Sequence, residues 1–293
     1  MVPLHRAATA SFALVLATAG HAGGWPLALG GSQSITRALV SCLRELGGEI
    51  QLATSVRSID ELPRARAYLF DVTPRQLLEM GGIELPVSYR KRLARFRYGP
   101  GVFKIDWALR APIPWRHSAC ARAATVHLAG SMDQVAKAES GVHEGRVCAQ
   151  PFTLLVQPSL FDPSRAPVGA HTAWAYCHVP AGDRTEMTGA IENQIERHAP
   201  GFRSLVLARS TRDTAALQDY NPNYVGGDIN GGLADLGQLL FRPVVSFDPY
   251  ATPVEGVFLC SSSTPPGGGV HGMCGYWAAR SALRRVFRHH RKA

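Results

Sequence analysis

The 293 residues are 46% hydrophobic and 18% charged, enough apolar content to bury a core and unlike the charge-rich, apolar-poor composition of a disordered chain. Glycine (29) and proline (20) are scattered, no self-similarity recurs at a period of roughly 20–50 residues, and no apolar run reaches the roughly 18 residues of a membrane helix. Fibrous, solenoid and helical membrane-spanning classes are thereby excluded. The net charge of +9 falls to +3 (25 against 22) once residues 280–293, with six Lys/Arg and no acid, are set aside.

In chain order, residues 1–24 come first. His5 and Arg6 precede an apolar middle from Ala7 to Ala19, with small residues near Ala22. That is the layout of a signal peptide, and equally of a buried helix stopped at Gly20. After the turn-rich stretch Gly23 to Gly31, the residues Ile35, Ala38, Leu39, Cys42, Leu43 and Leu46 share one face of a 3.6-residue period. They predict a helix capped by Ser32 and stopped by Gly47-Gly48. Alternating Ile50 and Leu52 predict a short strand, and Ala67–Asp71 a second one closed by Thr73-Pro74.

From Leu77 to Asp235 the texture changes to strand-like runs at 102–109, 124–129, 152–157 and 172–179, separated by proline-rich loops. A basic knot of Arg90, Lys91, Arg92, Arg95 and Arg97 is expected in one helix. Met187, Ala190, Ile191, Gln194, Ile195 and His198 predict another, with Asp183 and Glu186 as a capping box and Pro200-Gly201 as its stop. This is the pattern of an antiparallel sheet with a helix, an α+β unit. The last sixty residues return to α/β character. A strand at Val257–Cys260 leads to a glycine-rich loop and a helix from Gly272, with Ala279, Ala282, Leu283, Val286 and Phe287 on its apolar face and Arg280, Arg284, Arg288 and Arg291 opposite.

Neither basic cluster is accompanied by a nucleic-acid recognition motif, so both read as solvated helix faces and no nucleic-acid partner is expected. The six cysteines contain no CxxC pair. Cys42 on an apolar helix face and Cys260 at a strand end read as small hydrophobes, which favours a reducing, cytoplasmic setting. His171 and His178 stand seven apart on an alternating strand, on opposite faces, and His271-x-x-Cys274 reads as packing; no metal site is expected.

The chemistry is concentrated in Val257 to Ala279, VFLCSSSTPPGGGVHGMCGYWAA. Gly267, Gly269 and Gly272 satisfy G-x-G-x-x-G between a strand and a helix start, where a backbone without Cβ approaches a pyrophosphate and free N–H groups stabilise its charge. The acidic ribose partner roughly 20 residues on is missing, so spacing alone leaves a phosphate loop and a plain glycine turn equally open.

This segment resembles the C-terminal FAD-contacting motif of phytoene desaturase-like NAD(P)/FAD-dependent oxidoreductases, especially the pyridine nucleotide-disulfide oxidoreductase domain-containing branch. The likeness continues through HAGGWPLALGGSQSITRAL, YGPGVFKIDWAL, QPSLFDPSRAP, TAWAYCHVP, QIERHAPGF and NPNYVGGDINGG, in the same order. It implies an amine-oxidase-like or phytoene-desaturase-like architecture: α/β plus α+β, a partial FAD-binding α/β domain with an inserted antiparallel-sheet substrate domain. On that pattern residues 1–22 are a helix of the substrate domain or a signal-like segment, 23–76 and 236–293 belong to the FAD-binding domain, and 77–235 form the substrate domain. The resemblance assigns cofactor contacts to Gly268, Gly269, Val270, Gly272 and Met273 along the pyrophosphate and ribityl chain, to Val56 at the adenine, and to Gly30 and Gly31 beside the flavin.

Two departures stand out. No strand–GxGxxG–helix precedes Gly23, which implies an N-terminally truncated member starting inside the substrate domain, favours the buried-helix reading of residues 1–22, and predicts weak or absent FAD binding by the isolated chain. Ser261 to Ser263 stand where related proteins often carry an acid or glycine. The implied activity is hydride transfer from an apolar, isoprenoid-like substrate to the flavin. The alternatives are a non-catalytic remnant or subunit acting through a partner, and an exported binding protein. Trp107, Trp115, Trp174 and Trp277 are candidates for a substrate tunnel, and Asp106 and His178 for proton transfer. Uncovered apolar surface predicts self-association, and peripheral membrane contact stays compatible with an apolar substrate.

Overall fold

A computed structural model describes residues 2–6 and 9–287; Ala7 of the apolar N-terminal run and Arg288 and Arg291 of the basic tail lie outside them. In chain order the elements are α1 (Thr9–Gly23), α2 (Gln33–Glu45), β1 (Tyr68–Phe70), α3 (Pro74–Glu79), α4 (Val87–Leu93), β2 (Gly101–Leu109), β3 (Thr125–Leu128), α5 (Met132–His143), β4 (Thr153–Val156), β5 (His171–Val179), α6 (Thr188–His198), α7 (Phe202–Leu205), β6 (Val206–Arg212), α8 (Thr214–Tyr220), α9 (Leu236–Leu240), β7 (Val257–Leu259) and α10 (Met273–Val286). They form two compact units. One joins Thr54–Gly101 to Ala215–Ala293, with Met1–Val2; the other joins Pro3–Ala53 to Val102–Thr214. The boundaries read from sequence fell at 22/23, 76/77 and 235/236 instead.

The second unit is built on a five-stranded sheet of order β3-β4-β5-β2-β6, with β3·β4, β4·β5 and β2·β6 antiparallel. Period-two alternation explains its two faces. Phe103, Ile105, Trp107 and Leu109 of β2 and Ala173, Ala175, Cys177 and Val179 of β5 enter the core with Met187, Ile191 and Ile195 at α6. Lys104, Asp106, Trp174 and Tyr176 occupy the intervening positions and are half-buried. Edge strand β6 has no sequence signal because Leu207 to Arg212 are exposed and carry no apolar alternation. Helix α5 is a further addition to the expected elements, although Ser131 and Gln134 form a true capping box. At α6 the expected box does not form: Met187 is the cap, Glu186 accepts from the Thr188 N–H (3.0 Å), and Asp183 turns to the Thr185 N–H (2.7 Å).

The N-terminal part of this unit corrects three expectations. α1 is a helix but buries none of its residues. Leu14, Val15 and Leu16 are consecutive, and a helix points consecutive side chains about 100° apart, so no single face gathers them. α2 keeps its apolar stripe, yet Ile35, Leu39 and Leu43 remain exposed, and Cys42 with them. Ile50 and Leu52 form no strand; both are exposed.

In the first unit β1 and β7 pair in parallel, Tyr68 beside Val257 and Phe70 beside Leu259. Phe70, Leu77, Tyr89, Leu93, Val257 and Leu259 form the core around them. The basic knot is split: Arg90, Lys91 and Arg92 lie on α4, while Arg95 and Arg97 follow its end. α10 buries Cys274, Ala278, Ser281 and Ala282, a face rotated from the expected one. Leu283 stays exposed, and the buried Ser281 hydroxyl instead donates to Asp248 Oδ2 at 2.6 Å.

Candidate functional site

β7 runs through Cys260 into loop 261–272, which delivers the chain to the N-terminus of α10. Gly267 (φ 104°), Gly269 (φ 154°) and Gly272 (φ 63°, the helix cap) take left-handed or otherwise glycine-favouring backbone angles, the reason this turn is written in glycine. Residues 268–272 are exposed, Val270 at 91%. Among the described residues the N–H groups of Gly268, Gly269, Val270 and His271 donate to no protein acceptor. The Met273 N–H is taken by His271 Nδ1 at 3.0 Å, so this histidine caps the helix start. Four open N–H groups thus lead into the positive end of a 14-residue helix, the chemistry that favours an anion.

The loop rests on buried polar groups that sequence reasoning did not find. Arg242, 2% exposed, donates from Nε to the Gln238 carbonyl (3.2 Å), from Nη1 to Ser262 (3.1 Å), and from Nη2 to Gly232 (3.4 Å) and Leu233 (3.2 Å). Burial lowers its pKa from the usual guanidinium range, and the charge of Asp228 opposes that. Asp228 is fully buried. Its carboxylate accepts the N–H groups of Gly99 (2.7 Å), Asn230 (2.8 Å) and Gly232 (2.9 Å). Ser263 Oγ donates to the Gly231 carbonyl at 2.8 Å, and Cys274 Sγ to Gly267 at 3.4 Å. A Cβ on Gly267 would lie 2.7 Å from Arg242 Nη1, and one on Gly268 3.0 Å from the Asn230 carbonyl. Ser261 to Ser263, the departure noted from sequence, are thus part of the loop's seat. The available signals were an aspartate set among glycines in GGDINGG and an arginine after the apolar Leu239-Leu240-Phe241. Burial pushes the Cys260 thiol up to about 12, so it stays protonated at neutral pH.

Val56 lies in the same unit, on the wall of a cavity of ≈ 420 Å³ shared with Arg57, Val72, Gln76, Met80 and Asn223; none of residues 268–273 lines it. Gly30 and Gly31 belong to the other unit. There the Gly30 N–H donates to Asp162 Oδ2 (2.7 Å) and its carbonyl accepts from Arg165 Nη1 (2.8 Å). The guanidinium also occupies the space a Cβ on Gly31 would need (2.6 Å). Two motifs some 130 residues apart, LALGGSQ and FDPSR, are joined in this way.

The remaining candidates separate. Trp107 is core, its indole N–H on buried Glu192 (3.0 Å), and Trp115 donates to Gln157 (2.9 Å). Trp277 lies in the other unit, beside Tyr276. Trp174 stacks on Tyr176 (6.3 Å, 12°) with Lys104 over its ring, and Lys104 also pairs with Asp106. His178 is buried and paired through Nδ1 with Glu139 (3.1 Å), a partner on α5 that sequence reasoning had not supplied.

No protein-family model matches the chain. It is 28% identical over 312 aligned positions to pyridine nucleotide-disulfide oxidoreductase domain-containing protein 2 of Mus musculus, and 29% identical over 314 to that of Rattus norvegicus, covering 92% of this chain and 52% of each of those proteins. The chain is a relative of these proteins. That bears out the resemblance read from its motifs, and the chain spans about half the length of the curated relatives it matches. Among solved structures, an oxidoreductase from Methanosarcina mazei superposes with a TM-score of 0.52 at 15% identity, over 87% of this chain and 55% of that one. At that identity the likeness is one of fold, a mixed α/β architecture with parallel and antiparallel sheets.

Proposed function

We propose that the chain supplies one wall of an FAD site and the substrate-facing sheet of a flavin-dependent oxidoreductase of phytoene desaturase-like type. The observation that carries this reading is the exposed 268–271 backbone with four unshared N–H groups, at a helix N-terminus and seated on buried Arg242. The residues present fit a pyrophosphate: glycines where a side chain would fill the approach, donors without acceptors, and a buried cation below the loop. Val56, on the wall of its cavity, is the adenine contact in this reading. Gly30 and Gly31 belong to the other unit, where Asp162 and Arg165 already take the N–H and carbonyl of Gly30. The flavin, when bound, supplies hydride acceptance.

The chain's own part is to orient the cofactor and to present a substrate surface. The half-buried Trp174–Tyr176 stack, flanked by the Lys104–Asp106 pair, suits an apolar substrate with a polar edge. The relatives' names, which describe them as oxidoreductase domain-containing, favour the same class of reaction.

Titrating FAD into the 293-residue chain and following flavin fluorescence tests the reading. One exposed helix N-terminus contributes about 0.3–1 kcal/mol, against roughly 8 kcal/mol for a micromolar complex. Saturable quenching with a Kd weaker than about 1 µM is therefore expected. Gly269→Val should abolish it, since a φ of 154° is one that a branched side chain rarely adopts. Equal quenching by Gly269→Val and the parent chain would overturn the assignment of the loop.

A further inference from the structure

The second unit contains a cavity of ≈ 340 Å³ between the turn at residues 116–120, edge strand β3 and the C-terminal end of α6. Its polar lining is Arg116, His117, Cys120, His127, Arg197 and His198, with no Asp or Glu among the lining residues, and Val126, Leu128 and Ala129 complete the wall. The volume is within the range of small-molecule sites, about 300–1,000 Å³.

Three observations show that this arrangement lacks an anionic partner within the protein. First, the side chains of Arg116 and Arg197 make no ion pair or hydrogen bond among the described residues, whereas three arginines of the same unit are paired. Arg203 and Arg209 both bond Glu192, and Arg165 bonds Gly30. Second, Nε2 of His198 is buried and has no hydrogen-bond partner among the described residues. Folded proteins rarely leave a buried side-chain nitrogen in that condition, and His198 lines the cavity. Third, the Nδ1 atom of His117 accepts from the Ala119 N–H at 3.3 Å, which leaves the ring proton on Nε2 as a donor. The backbone ties the wall together: the Arg116 N–H donates to the His198 carbonyl at 3.0 Å.

Two guanidiniums, three imidazoles and no carboxylate are the donor set that recognises a phosphate group, guanidinium by its planar fork and imidazole by single N–H bonds. We propose that this cavity is a binding site for a small phosphorylated molecule, separate from the glycine loop in residues and in folded unit. The three apolar wall residues then face the non-phosphate part of the ligand, and the site lies at the free edge of the sheet.

Isothermal titration of the full chain with inorganic pyrophosphate tests this, with citrate at matched ionic strength as the carboxylate arm. Pyrophosphate is expected to bind one equivalent at the cavity, more tightly than any binding at the glycine loop. The double variant Arg116→Gln/Arg197→Gln should weaken it at least about tenfold, the loss of two charge-assisted contacts. Both side chains are exposed, so the fold and its thermal melt should be retained. Arg90→Gln/Lys91→Gln, on the basic face of α4, should leave binding unchanged, which separates a site from general attraction to a basic protein. Gly269→Val, which acts only on weaker binding at the glycine loop, should leave that tighter equivalent in place. The proposal is overturned if the double variant binds pyrophosphate like the parent, if the α4 variant weakens it equally, if Gly269→Val removes the binding, or if citrate binds as tightly as pyrophosphate.

Discussion

Two glycine turns, Gly30-Gly31 and Gly267 to Gly272, are both written in the same residue with positive φ, and they have opposite fates. At the first, the protein itself satisfies the backbone: Asp162 takes the Gly30 N–H, Arg165 takes its carbonyl and packs over Gly31. At the second, the protein braces the loop from below through Arg242, Asp228 and Ser263 and leaves the N–H groups of residues 268–271 open above. Glycine marks close approach in both places. What distinguishes a structural turn from a ligand turn is whether the donors have partners already, because a backbone N–H is an obligatory donor that must bond to something.

Breaking the brace tests that contrast most severely. Arg242→Met strips the donor from four carbonyls and should destabilise the first unit by about 3–5 kcal/mol, the range for removing one partner from a buried charged network. A urea unfolding midpoint that barely moves would show that the loop does not depend on its seat. At the other turn, Asp162→Ala frees the Gly30 N–H. Hydrogen exchange at that amide should accelerate, by about tenfold or more if local opening limits it, with the 268–271 amides unaffected; an unchanged rate would mean that the turn is held by other contacts.

The smallest effect is a titration. The Ser164 hydroxyl, at 2.6 Å, leads the groups that hold the Asp162 carboxyl below the usual range, followed by the N–H groups of Gly30 and Ser164 and the charge of Arg165, against an opposing desolvation. A depressed carboxylate contributes stability above its unfolded pKa of about 3.9 and loses it as pH falls through the lower folded value. The Gly30 amide shift should therefore titrate with a midpoint below about 3.9; a midpoint at or above that value would contradict the pairing.

Much of the framework is legible in the pattern of residues. The alternation at 102–109 and 172–179 returns as β2 and β5, and the 3.6-residue period returns as α2 and α6. Periodicity says which residues share a face, not what covers it. α2 therefore forms with its apolar stripe exposed, and α10 turns a different face inward because Ser281 finds Asp248. Ile50 and Leu52 alternate, yet both are exposed and lie outside any strand. At the candidate site the glycines were legible because their backbone angles demand them. Arg242 and Asp228 were not, since a buried charge is recognised by the carbonyls and amides that converge on it, and those come from residues 99, 230–238 and 262. His178 carries the residue type for proton transfer, but its partner Glu139 lies on α5, a helix whose apolar periodicity is too weak to announce it.

The claim on which the functional reading rests is that the 268–271 backbone is open to a diphosphate and the Gly30-Gly31 backbone is not. Titrating ADP into the isotope-labelled chain and following amide shifts measures this residue by residue. The account predicts saturable shifts at Gly268, Gly269, Val270 and His271, with Val56 moving at the adenine end and Gly30 and Gly31 still. Amides of the glycine loop that stay in place while Gly30 and Gly31 shift would contradict it.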